Sequence, residues 1–146
     1  MGRDTIRLLI VEDSYEYAQM LKTVLLAEET VNFDITHCEN LHEALNYLHQ
    51  GDFETILLDL SLPDSLGLDT FLVIHDEAPE IPVVVITALD DASVAIRAVR
   101  HGAQDYLVKG DLDVSNLVRS LRYAVERQHT LMMIEQMTLV DDLTGL

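Results

Sequence analysis

The chain has 146 residues, 49% of them apolar, and its 26 Asp and Glu against nine Lys and Arg give a formal net charge of −17. One domain of this length can bury a sizeable core, but a charge this negative disfavours direct contact with nucleic acid, because it repels a phosphate backbone. The apolar runs are too short to cross a bilayer and the N-terminal run is too short for a signal peptide, so we expect a cytoplasmic protein without a membrane segment.

The apolar pattern changes its period repeatedly along the chain, and it predicts strands that alternate with helices. Ser14 and Asn40 stand where the first two helices begin, and both residue types favour the N-cap position. Gly51 is predicted to end the second helix in a left-handed conformation. The predicted strands are 7–11, 33–38, 55–60, 83–87 and 105–108, and the predicted helices are 15–27, 41–50, 68–77, 94–100 and a long one that begins near Asp113.

Five strand and helix pairs in strict alternation, joined by short loops, predict an α/β fold. Strands that are apolar at nearly every position suit a parallel sheet that helices cover on both faces. We therefore expect a doubly wound, five-stranded parallel sheet of the flavodoxin-like (βα)5 type, with an extended C-terminal helix.

The last helix carries two apolar groups. The first lies within Val114–Val125 and would pack on the sheet. The second, between Leu131 and Leu139, has no predicted sheet left to cover and needs a partner helix. We interpret residues 128–140 as a helical linker that is a candidate for a short parallel coiled coil.

Polar side chains stand where four of the predicted strands end. Glu12 and Asp13 follow the first strand, Asp59 and Thr87 lie at the ends of the third and fourth, and Lys109 follows the fifth. The carboxyl ends of parallel strands share one edge of the sheet, where ligands bind. A single polar strand end is usually only a cap, but three carboxylates at one edge would repel one another unless a cation neutralises them.

A magnesium ion is the cation that these ligands suit. Mg²⁺ prefers oxygen ligands and usually combines one or two carboxylates with waters and phosphate oxygens. Asp13 and Asp59 are the predicted direct ligands, with the backbone carbonyl of Ser61 as a third and Glu12 acting through water. Asp59 is then the predicted nucleophile toward a phosphoryl group, on which it would form an aspartyl phosphate.

Two further residues complete the predicted chemistry. Lys109 would offset charge on the transferred phosphoryl oxygens, and the Thr87 hydroxyl could donate a hydrogen bond to one of them. Cys38 is predicted to be a buried structural thiol, since no second cysteine can pair with it. The six histidines form no ligand pair and are predicted to lie at the surface or at helix ends.

The order and spacing of these residues resemble the receiver domains of response regulators, over about residues 5–127. The resemblance implies that a sensor histidine kinase or a phosphotransfer protein donates a phosphoryl group to Asp59 in a Mg²⁺-dependent step that the receiver itself catalyses. Gly110 is a departure, because receivers often have proline after the lysine. The segments that carry the resemblance are 9–14, 57–60, Pro63-Asp64, Gly67-Leu68, Thr87-Ala88 and 106–109.

The resemblance also implies a switch. Thr87 would move toward the phosphoryl group and Tyr106 would turn inward, which would remodel the surface of the fourth helix, the fifth strand and the fifth helix. That surface, together with the C-terminal helix, is the expected site of homodimerisation.

Residues 141–146, Asp-Asp-Leu-Thr-Gly-Leu, resemble the opening of a GGDEF domain. This resemblance implies a parent protein that is a diguanylate cyclase, which condenses two GTP into cyclic di-GMP, and a chain cut just where that output domain begins. The fragment itself would have no cyclase activity. The alternative is a stand-alone or adaptor receiver with a different output.

Two rival functions each conflict with a residue. A phosphohydrolase related to haloacid dehalogenases needs a second Asp two positions after the nucleophile, where this chain has Ser61. A flavodoxin-like flavin binder needs a phosphate-binding loop after the first strand, where Glu12 and Asp13 would repel a phosphate.

Overall fold

The computed structural model describes residues 5–144, and the side chains of residues 5–137. Its main sheet has five strands, and every neighbouring pair in it is parallel. Those strands are β1 (Thr5–Val11), β2 (Asn32–Cys38), β3 (Thr55–Asp59), β4 (Val83–Thr87) and β5 (Asp105–Val108). The helices are α1 (Tyr15–Leu26), α2 (Leu41–Gln50), α3 (Leu68–Glu77), α4 (Ala92–Arg100) and α5 (Val114–Thr144).

The strand order in this sheet is β2-β1-β3-β4-β5, so the chain winds outward in both directions from β1 and β3. This order confirms the predicted doubly wound, flavodoxin-like α/β fold. Two short strands after β3, Ser61–Leu62 and Ser65–Leu66, pair with each other as an antiparallel hairpin. The turn between them contains Pro63 and Asp64, where the sequence predicted a turn.

The core has two parts, one on each face of the sheet. Alternate strand residues face opposite sides, so Leu8 and Ile10 belong to one cluster while Leu9 and Val11 belong to the other. The first cluster includes Leu21 of α1 and packs against α5, and the second cluster packs against α2, α3 and α4. Strands buried on both faces explain why their sequences are apolar at almost every position.

One predicted detail of the helices is wrong. Gly51 follows α2 with a φ of −109°, so it is not left-handed. A Cβ at residue 51 would lie 2.6 Å from Cε2 of Phe53 and 3.1 Å from the Tyr47 carbonyl oxygen, so a larger residue there would require the Phe53 ring to shift. Helix α5 continues to Thr144, so it runs through the linker at 128–140 into the segment that resembles a GGDEF opening, and the domain boundary at residue 141 stays a prediction.

Helix α5 packs on the sheet only along its first half. Leu117, Leu121 and Ala124 are fully buried, as predicted for the first apolar group. The part of the second apolar group between Leu131 and Met137 is exposed. The segment 141–146 that resembles a GGDEF opening has no described side chains, and its last two residues lie outside the described part of the chain.

Cys38 is buried and is a free thiol, as predicted, and burial raises its pKa to about 12. Within residues 5–144, no helix combines the length and the hydrophobicity needed to cross a bilayer.

Candidate functional site

The strand register brings the predicted polar residues to one edge of the sheet. Val11 of β1 lies beside Leu58 of β3. The next residue on each strand is an acid, so Glu12 and Asp59 are neighbours across the two strands. This is the point where the strand order reverses, and a doubly wound sheet opens a crevice at that point.

Three carboxylates converge there. Glu12 and Asp59 are buried and Asp13 is exposed, and oxygens of the three side chains lie within 4.8 Å of one another. The Ser14 N–H donates to Glu12 Oε2 at 3.0 Å, and the Ser61 N–H donates to Asp59 Oδ1 at 2.9 Å. These two backbone donors orient the buried acids and offset part of their negative charge.

Lys109 bridges the two buried acids. It follows β5, and its Nζ lies 2.8 Å from Glu12 Oε1 and 3.0 Å from Asp59 Oδ2. The same Nζ lies over the ring of Tyr17, 4.7 Å from the ring centroid. Each buried acid therefore has one oxygen bound to a backbone N–H and the other paired with the same ammonium group.

The pKa values follow from burial and pairing. Burial raises the pKa of Glu12 to about 7, although hydrogen bonds from Lys109 and Ser14 act in the opposite direction. Burial by itself would lower the pKa of Lys109, but its hydrogen bonds to Glu12 and Asp59 outweigh that effect and raise it. The ammonium group therefore stays charged at neutral pH.

The donor set fits a hard divalent cation. Three carboxylates meet at this edge and one lysine pairs with the two buried ones, which leaves more negative than positive charge there. Carboxylate oxygens at this spacing are the ligands that Mg²⁺ prefers. The Ser61 N–H contact places that residue next to Asp59, and the role of its carbonyl as a ligand stays a prediction.

Thr87 and Tyr106, the predicted switch pair, lie on the neighbouring strands β4 and β5. Thr87 is buried at the carboxyl end of β4, and its hydroxyl has no hydrogen-bond partner among the described residues. Tyr106 of β5 lies beside Val85 of β4, and it is half-buried against the core cluster that packs under α2, α3 and α4. Their movement on phosphorylation stays a prediction.

Two residues at this site were not predicted. His37, expected at the surface or at a helix end, is half-buried in β2, and its Nε2 lies 2.8 Å from the backbone carbonyl oxygen of Glu12. Tyr17 of α1 supplies the ring beneath Lys109. The sequence carries no local signal for either contact, because both depend on how distant elements pack together.

The model of the response regulator receiver domain family matches residues 8–122. The regulatory protein LuxO of Vibrio cholerae is 33% identical over 100 residues, which cover 68% of this chain and 21% of LuxO. The transcriptional regulatory protein ZraR of Escherichia coli K12 is 28% identical over 131 residues, which cover 90% of this chain and 29% of ZraR.

A solved structure agrees with the fold. The crystal structure of the signal receiver domain of a LuxO repressor protein from Vibrio parahaemolyticus superposes with a TM-score of 0.77 at 28% identity. The superposition covers 90% of this chain and 98% of that domain. The chain thus covers almost all of that solved receiver domain, while it spans less than a third of the curated relatives it matches.

Proposed function

Since this chain belongs to the response regulator receiver domain family, we propose that it accepts a phosphoryl group on Asp59 and thereby controls an attached output. One observation carries the assignment to Asp59. Its carboxylate is buried at the carboxyl end of β3, ion-paired with Lys109 and within 4.8 Å of Asp13, which is itself exposed. Glu12 is the other buried acid that Lys109 contacts, and burial raises its pKa to about 7, which makes it the weaker nucleophile of the two.

The proposed reaction transfers a phosphoryl group from a phosphohistidine on a sensor kinase or phosphotransfer protein. A carboxylate oxygen of Asp59 attacks the phosphorus, a P–O bond forms and the P–N bond breaks. The imidazole leaves with the electron pair of that bond and takes up a proton. Lys109, 3.0 Å from the acceptor carboxylate, offsets charge on the transferred oxygens, and the Thr87 hydroxyl donates to one of them.

The proposed ligands of Mg²⁺ are Asp13, Asp59 and the Ser61 carbonyl, with Glu12 acting through water. When bound, the ion supplies positive charge that neutralises the carboxylates and the phosphoryl oxygens. The protein contributes orientation: the Ser61 N–H holds one oxygen of Asp59, and Lys109, itself paired with Glu12, holds the other.

Labelling with acetyl phosphate tests the acceptor. We expect intact-mass spectrometry to find one added phosphoryl group on the wild type in the presence of Mg²⁺ and none after chelation with EDTA. Asp59→Asn should abolish the labelling, whereas the matched variant Asp69→Asn, at an exposed position in α3, should be labelled like the wild type. Labelling of Asp59 that is independent of Mg²⁺, or labelling of another residue, would contradict the assignment.

Different observations support two outputs. The likeness of residues 141–146 to a GGDEF opening supports a diguanylate cyclase, but neither LuxO nor ZraR is named as one. ZraR is named a transcriptional regulatory protein, which supports control of transcription by a DNA-binding domain elsewhere in the protein. The full-length protein separates the two: cyclic di-GMP made from GTP favours the first, and sequence-specific DNA binding without synthesis favours the second.

We propose that the phosphorylated receiver forms a homodimer through α4, β5 and α5. Apolar side chains exposed on α4, Ile96 and Val99, support this face, as does the exposed apolar group on α5 between Leu131 and Met137. A dimer would bring two output domains together and raise their effective concentration.

A further inference from the structure

The acidic site is connected to α1 through an aromatic ring. The ammonium nitrogen of Lys109 lies 4.7 Å from the centroid of the Tyr17 ring, within the range at which a cation interacts with the face of an aromatic ring. The same nitrogen is ion-paired with Glu12 and Asp59. The ammonium is therefore held by two carboxylates and one ring.

We propose that Tyr17 is a positioning residue, whose ring fixes the Lys109 ammonium beside Asp59 so that it meets the incoming phosphoryl oxygens. The proposal rests on the proposed function, in which Asp59 is the acceptor and Lys109 contacts the phosphoryl group. Tyr17 is on α1, and no other residue of this helix takes part in the proposed phosphoryl transfer.

The ring itself is held in place by the loop that carries the acids. Tyr17 is in the first turn of α1, and its backbone N–H donates to the Oγ of the N-cap residue Ser14 at 3.2 Å. The Ser14 N–H in turn donates to Glu12 Oε2 at 3.0 Å. A closed circuit of contacts thus runs from Glu12 through Ser14 and Tyr17 to Lys109 and back to Glu12.

The hydroxyl group of Tyr17 is not what holds the ring. It is buried and has no hydrogen-bond partner among the described residues, while the ring packs against the cluster under α1 and α5. Phenylalanine should therefore preserve the contact with Lys109. Leucine should fill much of the same space, but it has no aromatic face to attract the cation.

The test compares Tyr17→Leu with Tyr17→Phe in this chain. With acetyl phosphate and Mg²⁺, we expect Tyr17→Leu to label Asp59 about 3- to 10-fold more slowly at saturating acetyl phosphate, as the usual strength of a cation–π contact suggests. Tyr17→Phe should label at the wild-type rate. NMR gives a second readout, because the Tyr17 ring current should shift the Lys109 Hε protons upfield in the wild type and in Tyr17→Phe, and not in Tyr17→Leu.

The outcomes distinguish a failure of the proposed function of Asp59 from a failure of the proposed role of Tyr17. If the wild type is not labelled at Asp59 at all, the proposed function fails. If Asp59 is labelled and Tyr17→Leu matches the wild type in rate, or if the Lys109 protons show no upfield shift in the wild type, Tyr17 does not position the lysine. A Tyr17→Phe variant as slow as Tyr17→Leu would also overturn the proposal, because the effect would then follow the hydroxyl and not the ring.

Discussion

Two buried threonines near the ends of neighbouring strands differ in one hydrogen bond. Thr55 begins β3, and its hydroxyl donates to the Pro82 carbonyl at 3.0 Å. Thr87 ends β4, and its hydroxyl has no partner among the described residues. A buried hydroxyl without a partner is unfavourable, so the two side chains should respond oppositely to replacement by valine, which has nearly the same shape.

We expect Thr87→Val to leave the free energy of unfolding unchanged or to raise it by about 1 kcal/mol, because it removes an unpaired buried hydroxyl. The matched variant Thr55→Val should lower the free energy of unfolding by about 1 kcal/mol, because it removes a hydrogen bond. Urea denaturation measures both values. A Thr87→Val variant that loses as much stability as Thr55→Val would show that the Thr87 hydroxyl is paired in the unphosphorylated protein.

Among the individual residues of the site, the charged ones were predictable from the sequence, whereas the side chains that contact them were not. Glu12, Asp59 and Lys109 were predictable as a group because each stands at a strand end, and parallel strands present those ends at one edge. Tyr17 and His37 were not, since a ring on α1 and an imidazole on β2 reach the site only through side-chain directions that no local pattern specifies. The catalytic and metal-binding roles of the predicted residues stay predictions.

Asp64 links the loop after Asp59 to helix α2. Its two carboxylate oxygens accept hydrogen bonds from the backbone N–H groups of Leu41 and His42, at 2.9 and 3.0 Å. Asn40 also caps this helix, so the start of α2 has two side chains bound to its free N–H groups. The acceptor loop is thereby attached to a second element of the fold.

Replacing Asp64 with Asn, which resembles the protonated acid, should lower the free energy of unfolding by up to about 1 kcal/mol at pH 7, because the exposed cap is screened by solvent. Burial acts to raise the pKa of Asp64, but the N–H groups of Leu41 and His42 contribute to a net lowering. An acid with a lowered pKa stabilises the fold above its unfolded value of about 3.9 and loses that contribution as the pH falls through its folded value.

The difference in the free energy of unfolding between the wild type and Asp64→Asn should therefore be constant between about pH 5 and 7 and shrink only below about pH 4. Urea denaturation at several pH values measures it. Asp34→Asn, at an exposed position of β2, is the control and should differ little from the wild type throughout. A difference at pH 7 that does not diminish in acid would mean that the charge of Asp64 is not what caps α2.

The strands and most helix limits were predictable because period, caps and glycines agree in these segments. Helix α3 has the predicted bounds, and Ser14 and Asn40 are the N-caps of α1 and α2 as predicted. The close approach of the Phe53 ring to Gly51 was not predictable, because it depends on side-chain packing and not on a backbone conformation. The boundary between the linker and a different domain at Asp141 stays a prediction, since a helix that continues to Thr144 does not test it.

For the whole molecule, the net charge and the exposed apolar surface have opposite effects on the association of two copies. Each chain carries a formal charge of −17, so two copies repel each other at long range. Salt weakens that repulsion, because the Debye length is only about 8 Å at physiological ionic strength. The exposed apolar side chains of α4 and α5 favour association at short range. A homodimer should therefore form more readily as the salt concentration rises.

Phosphorylation, mimicked by beryllofluoride with Mg²⁺, should convert the protein to a dimer, which sedimentation velocity detects as a doubled mass. Ile96 of α4 is 40% exposed and lies on the proposed face, so Ile96→Glu should weaken the dimer by at least about 10-fold, because it places a charge in an apolar contact between two acidic chains. Leu26→Glu, at a 60% exposed apolar position of α1, adds the same charge on a helix that is not part of the proposed face and should dimerise like the wild type. If both variants weaken association equally, net charge and not the α4 face controls it. A mass that stays monomeric with beryllofluoride at every salt concentration would rule out this mode of output control.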